Sequence, residues 1–181
     1  KRAPLRRPFC FALDGGGGTQ MTTITTDRLR LRAMIPDDID VFVRHLNDWE
    51  IQQWLAQPPF PYERRHAEDF LAIVRANHET GYPTMFVAAA KASDLALGFV
   101  SVEVRASGEG VLGYWFGRDH WGQGFAKEAV TTLVRHARGH PALRSIVAVT
   151  DVDNTRSQQV LAAAGLADRG LRDRDQPSRR N

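Results

Sequence analysis

Leu112-Gly113-Tyr114-Trp115-Phe116 and, five residues on, Trp121-Gly122-Gln123-Gly124-Phe125-Ala126 form the stretch whose reading decides the fold. The first run is apolar and reads as a strand. The second is a glycine-flanked turn that opens an amphipathic helix. Glycines let the backbone approach a ligand closely, and the first helical N–H groups have no internal partner and lie at the positive end of the helix dipole. A strand, turn and helix in that order make a seat for a pyrophosphate. A bare Gly-x-Gly also fits a tight turn that only packs a helix on a sheet. A dinucleotide fold competes as well, because Asp151 follows the next strand, 27 residues after Gly124. Against that reading, the third fingerprint position is Lys127, and too few strands follow for a doubly wound sheet. No phosphate-binding loop of the Gly-x-x-x-x-Gly-Lys-Ser/Thr type occurs.

Working outward, the helix is expected from about Gln123 to Arg138. Phe125, Ala126, Ala129, Val130, Leu133, Val134 and Ala137 share a stripe, and Gly139-His140-Pro141 stops it. Upstream, Met85–Ala90, Leu97–Arg105 and Val111–Phe116 read as three strands with short turns, hence an antiparallel meander. In the middle one Val100, Val102 and Val104 take one face, and Phe99, Ser101, Glu103 and Arg105 the other. Arg28–Arg32 alternates as a half-buried strand. Pro36-Asp37-Asp38 opens a helix carrying Ile39, Phe42, Val43 and Leu46. A second helix is expected over Glu63–His78, after the rigid Pro58-Pro59-Phe60-Pro61 break. Downstream, Ile146–Val149 is a strand, and Asn154 caps a helix from Thr155 to Ala164 that Gly165 closes.

The 181 residues suit one domain, with 43% apolar and 25% charged residues. The net charge of +3 sits in residues 1–20, where Lys1, Arg2, Arg6 and Arg7 face only Asp14. The rest of the chain is neutral, which argues against a nucleic-acid partner. No apolar run reaches the roughly 20 residues that cross a bilayer, so no membrane partner is expected. A lone Cys10 makes no internal disulfide, and no Cys/His spacing points to a metal. A reducing, cytoplasmic setting fits. Residues 1–21, with Gly15–Gly18 and Met21, read as a disordered leader ahead of a natural start; residues 22–171 as the domain; and 172–181 as a polar tail.

The run Gly113-Tyr114-Trp115-Phe116, then His120-Trp121-Gly122-Gln123-Gly124-Phe125-Ala126-Lys127-Glu128-Ala129, resembles the cofactor motif of GNAT N-acetyltransferases. It is nearest to the subgroup of ribosomal-protein alanine acetyltransferases (the RimJ/RimL type). Thr26-Asp27-Arg28-Leu29-Arg30-Leu31-Arg32 is similar to that subgroup's first strand, and Asp153-Asn154-Thr155-Arg156-Ser157 with Ala164-Gly165-Leu166 to its last helix. The resemblance covers about Thr25 to Leu166. It implies an α/β (α+β) fold: a mixed, mainly antiparallel sheet with helices on both faces.

It also implies acetyl-coenzyme A as co-substrate and an amine acceptor, either a protein N-terminus or a small molecule. Trp115 and Phe116 would meet the pantetheine arm through their main chain. The amides of Gly122, Gln123, Gly124, Phe125, Ala126 and Lys127 would surround the pyrophosphate. Trp121 stands where the motif usually begins with Arg or Gln. The tyrosine acid that many relatives place seven residues after the Asn is Leu161 here. The alternative donor, three residues after it, is Ser157, with Asn154 as a cofactor contact. Glu103 is the candidate base. Plain readings stand beside these: Trp115 and Trp121 as core, Asn154 as a mere cap, Ser157 as a first-turn polar residue, Glu103 as a solvated or Arg105-paired carboxylate.

The family continues after Gly165 with two more strands, for which few residues remain; at most Leu166–Leu171 could form one. A missing last strand leaves an edge, and a homodimer by strand exchange is one way to cover it. Besides catalysis, a non-catalytic acyl-coenzyme A-binding role remains open from sequence.

Overall fold

The computed structural model describes residues 22–171; the leader, Cys10 and the polar tail fall outside the described residues. The elements run β1 (Ile24–Thr25), β2 (Leu29–Arg32), α1 (Ile39–Leu46), α2 (Trp49–Gln52), α3 (Arg64–Glu79), β3 (Met85–Ala90), β4 (Ala96–Val104), β5 (Glu109–Phe116), α4 (Phe125–Ala137), β6 (Ser145–Val147) and α5 (Thr155–Ala163). The strands form one sheet in chain order. All neighbours are antiparallel except β5 and β6, which are parallel. The expected mixed, mainly antiparallel sheet is therefore present, and its meander comprises β3, β4 and β5.

Strand alternation divides the core in two. Val100 and Val102 of β4 and Leu112 and Phe116 of β5 point to one face, where they pack with Ala129, Val130, Leu133 and Val134 of α4 and Leu161 of α5. Phe99 and Trp115 point to the other, against Phe42 and Leu46 of α1 and Leu71 and Val74 of α3. Phe42 meets Trp115 edge-on, with ring centroids 4.8 Å apart. Helices thus cover both faces.

Gly98 is required by the meander itself. A Cβ there would lie 2.3 Å from the Trp115 carbonyl oxygen. Behind the sheet, Arg32 donates two bonds to Asp38, at 2.7 and 3.0 Å. Asp38 also accepts from the Ile35 amide at 2.9 Å, which fixes the turn into α1.

Several elements depart from the sequence expectation, and the following do so for physical reasons. Pro36–Asp38 form a 3-10 turn ahead of α1. Helix α2 is a single turn, too short to carry a period, and is started by the Asp48 side chain accepting from the Glu50 amide. Helix α4 begins at Phe125, because Gly124 has φ 81°, outside helical space. Strand β6 ends at Val147, where its ladder with β5 stops. Among the described residues no strand follows α5, and Leu166–Leu171 form no regular element.

Candidate functional site

Strand β5 outruns its parallel neighbour. Glu109, Gly110 and Val111 pair with Ser145, Ile146 and Val147, and the two strands then part. On its other side β5 stays paired with β4 as far as Phe116. Arg105 N–H donates to Glu109 O, and Gly117 N–H to Leu97 O, so odd-numbered residues of β5 turn their main chain toward β4. By the same alternation Tyr114 and Phe116 turn theirs toward the gap. The Trp115 main chain belongs to the β4 ladder, and its side chain to the core under α1. Of the two residues expected to offer main-chain contacts, Phe116 faces the gap and Trp115 does not; Tyr114 joins it.

The gap leads to the glycine turn. Gly122 has φ 73° and Gly124 φ 81°, both in the left-handed region that residues with a Cβ enter at a cost. Among the described residues no acceptor engages the amides of Gly122, Gln123, Gly124, Phe125, Ala126 and Lys127; the first ladder bond of α4 is Glu128 N–H to Gly124 O. A Cβ on Gly122 would meet nothing within 4 Å, so the turn is open outward. Six unengaged amides around a helix start present partial positive charge to an anion.

Sequence reasoning had no sign of what braces this turn. Arg28 donates to the Gln123 carbonyl at 2.8 Å and to Glu128 at 2.7 Å, and its guanidinium lies 4.6 Å from the centre of the Phe125 ring. Glu128 also accepts from Thr26 Oγ1 at 2.5 Å and from the Arg28 amide at 3.0 Å. Burial pushes the Glu128 carboxyl up, but these bonds outweigh it and hold it below the usual carboxylate range. Trp121 closes the other side. Its indole N–H donates to Phe116 O at 2.8 Å, and Arg156 of α5 lies 5.2 Å from its ring centre.

Across the gap, α5 begins at Asn154. The Asn154 carboxamide oxygen accepts from the Ser157 amide at 3.1 Å, so that oxygen is engaged as the cap. The Ser157 hydroxyl lies 2.8 Å from the Tyr114 hydroxyl of β5. The Tyr114 O–H also lies 3.3 Å from the Ser157 carbonyl oxygen. Burial pushes the Tyr114 phenol up, and the contact with Ser157 only partly offsets this. One turn beyond Ser157, Leu161 is buried in the core beneath α4. From sequence Tyr114 belongs to a strand and to the run that resembles the cofactor motif, with no role for its hydroxyl; the register that sets it opposite α5 appears only in three dimensions.

Glu103 is exposed, near the end of β4 on the α1–α3 side of the sheet. Its expected neighbour Arg105 pairs with Glu109 instead, at 3.0 Å. Glu103 and the Ser157–Tyr114 pair point to opposite faces of the sheet. Among the described residues no His/Cys/Asp/Glu group could hold a metal ion.

The family described as the acetyltransferase (GNAT) domain matches residues 28–167. A protein of Bacillus licheniformis named "Uncharacterized N-acetyltransferase p20" is 30% identical over 153 residues, covering 83% of this chain and 85% of that protein. Among solved structures, a ribosomal-protein alanine acetyltransferase from Vibrio fischeri superposes with a TM-score of 0.69 at 19% identity, covering 82% of this chain and 85% of that one. A ribosomal alpha-N-protein acetyltransferase, RimL, solved with coenzyme A, gives a TM-score of 0.67 at 21% identity, covering 79% and 82%. The parted strands, the bare amides and the match over most of the chain agree: this chain belongs to the GNAT family of acetyltransferases, with acetyl-coenzyme A as co-substrate.

Proposed function

We propose that the chain acetylates a primary amine, either a protein N-terminus or a small-molecule amine, by direct attack within a ternary complex. The observation that carries this reading is the gap between β5 and β6, which ends at a turn with six unengaged amides. Those amides, of Gly122 to Lys127, hold the pyrophosphate. The Tyr114 main chain and the Phe116 amide pair with the pantetheine arm as a ladder partner would. Acetyl-coenzyme A supplies an activated thioester; the protein supplies alignment, an exit for one proton and a source for another. Ser157, on the α5 side of the gap, donates to the departing sulfur. Glu103, on the opposite face, draws the proton from the incoming amine through water. Asn154 sets the start of α5 and thereby the place of Ser157.

A protein N-terminus is supported by the names of relatives that act on ribosomal proteins, and with it a cytoplasmic setting. The test is a panel of short peptides beginning with alanine or serine, run beside small amines, with thiol release and product mass as readouts. Acetylation at the peptide α-amine supports the first acceptor class, and acetylation of the small amines alone supports the second. Thiol release that no amine accelerates would sink the amine-transfer reading.

A further inference from the structure

The contact between Tyr114 and Ser157 assigns a second hydroxyl to the leaving-group side, resting on the reading of Ser157 above. We propose that Tyr114 is a positioning residue and proton source behind Ser157. Its phenol donates to Ser157 Oγ, which turns the serine proton into the gap toward the departing sulfur.

Two observations and one chemical argument converge. First, Tyr114 and Ser157 stand on the two flanks of the gap, one on β5 and one at the start of α5, and their hydroxyls meet at 2.8 Å. Second, Leu161, one turn beyond Ser157 on α5, is packed into the core, so no hydroxyl comes to Ser157 from that helical position. The phenol arrives from the sheet instead. Third, the chemistry of the pair needs it. An alcohol is a much weaker acid than a phenol, and the Tyr114 phenol, although burial pushes it up, stays closer to a thiol than the serine hydroxyl does. A serine acting alone is poorly matched to a thiolate; a serine backed by a phenol is not. The phenol is also the better donor of the two, and Ser157 Oγ at 2.8 Å is nearer to it than the competing acceptor, the Ser157 carbonyl oxygen at 3.3 Å, which favours Tyr114 O–H giving to Ser157 Oγ over the reverse.

The step balances without any added reagent. The amine lone pair forms the N–C bond, and the C–S bond breaks with its pair passing to sulfur. Sulfur takes the Ser157 proton, Ser157 Oγ takes the Tyr114 proton, Glu103 takes through water the proton shed by the acylated nitrogen, and solvent carries that proton from Glu103 back to the phenolate. The products are an amide and free coenzyme A thiol.

The test compares coenzyme A with acetyl-coenzyme A, because only the former presents a free sulfur to the hydroxyl pair. Calorimetric titration of both into the wild type, Tyr114→Phe, Ser157→Ala and the double variant needs no acceptor. In Tyr114→Phe, coenzyme A should bind roughly three- to tenfold more weakly, the loss of about one hydrogen bond, while acetyl-coenzyme A stays within about twofold. The double variant should bind coenzyme A no worse than the weaker single variant, since the two hydroxyls act as one unit. A purely structural tyrosine would shift both ligands alike, and that outcome overturns the proposal. Selective loss in Ser157→Ala with none in Tyr114→Phe keeps the serine and removes the tyrosine. No selective loss in either removes both assignments.

Discussion

Arg28 and Glu128 are 100 residues apart in sequence, and their side chains meet at 2.7 Å. The contact joins the start of β2 to the first turn of α4, and Arg28 adds a bond to the Gln123 carbonyl inside the glycine turn. Arg28 is about half exposed, so the ion pair itself adds little stability, under about 1 kcal/mol. Its effect is to hold the turn in shape before a ligand arrives. Glu128→Gln should therefore weaken acetyl-coenzyme A binding roughly three- to tenfold, with little change in melting temperature. Calorimetry beside a thermal melt checks both halves, and unaltered affinity would show that the turn keeps its form unaided.

Gly124 is the residue that α4 starts from, at φ 81°. Gly124→Ala places a Cβ in left-handed space, at a cost of about 1–2 kcal/mol. The turn can escape that strain only by rotating its amides away from their common focus. Affinity for acetyl-coenzyme A should fall more than tenfold, while chemical denaturation registers only the smaller local loss. Equal affinity in the variant would remove this turn from the cofactor site.

Asp38 is 3% exposed and is held by Arg32 and the Ile35 amide. Without Asp38, Arg32 keeps Asp94 at 3.2 Å and the Ala33 and Asp94 carbonyls, so the loss is that of charge-assisted hydrogen bonds, about 1.5–3 kcal/mol. Asp38→Ala should lose stability of that order in urea denaturation. A loss under about 1 kcal/mol would mean that water takes over the Arg32 guanidinium.

His45 lies under Gly117, at the end of β5, and is 5% exposed. Burial, followed by the neighbouring Arg44 and His120, pushes it down to about 4 from an ordinary 6.5. His78 is lowered in the same direction, chiefly by burial. Between pH 6.5 and about 4 the unfolded chain binds the proton and the folded chain refuses it. Stability contributed by neutral His45 is thus complete above pH 6.5 and declines as pH falls toward 4, by at most about 3 kcal/mol. Urea midpoints across that window should slope less in His45→Gln than in the wild type. Parallel slopes would show that His45 titrates normally in the fold.

Glu103 differs from these because its assignment concerns rate alone. On the proposal that Glu103 is the base for the amine, Glu103→Gln should lower kcat/KM by about a hundredfold and flatten the acid limb of the pH–rate profile. Its exposure predicts an unchanged melting temperature. An unaltered profile would remove it from the mechanism.

What could be read from sequence follows from how each feature is encoded. The meander and α4 were legible because Val100 and Val102, or Ala129, Val130, Leu133 and Val134, repeat with the period of their element. The glycine turn was legible because Gly alone adopts the φ values at 122 and 124 without strain. The Arg28–Glu128 brace and the Tyr114–Ser157 contact were not, since each joins elements that no local period connects. The main-chain direction of Trp115 could not be read either: it depends on ladder register with β4, where a one-residue slip would exchange its role with that of Phe116. Helix α2 was missed because one turn is shorter than any pattern that could announce it.

The early parting of β5 and β6 bears on more than binding. Past Val111 and Val147 the sheet has an edge inside the molecule, where the Tyr114 main chain and the Phe116 amide lack a strand partner, the Phe116 carbonyl being taken by Trp121. A bound pantetheine arm would take the place of that strand, so part of this protein's folding free energy comes from a metabolite and not from its own sequence. That share grows with the logarithm of ligand concentration over the dissociation constant. The lifetime of the protein in a cell would then follow the supply of activated acetyl groups, with the starved enzyme the first to unfold.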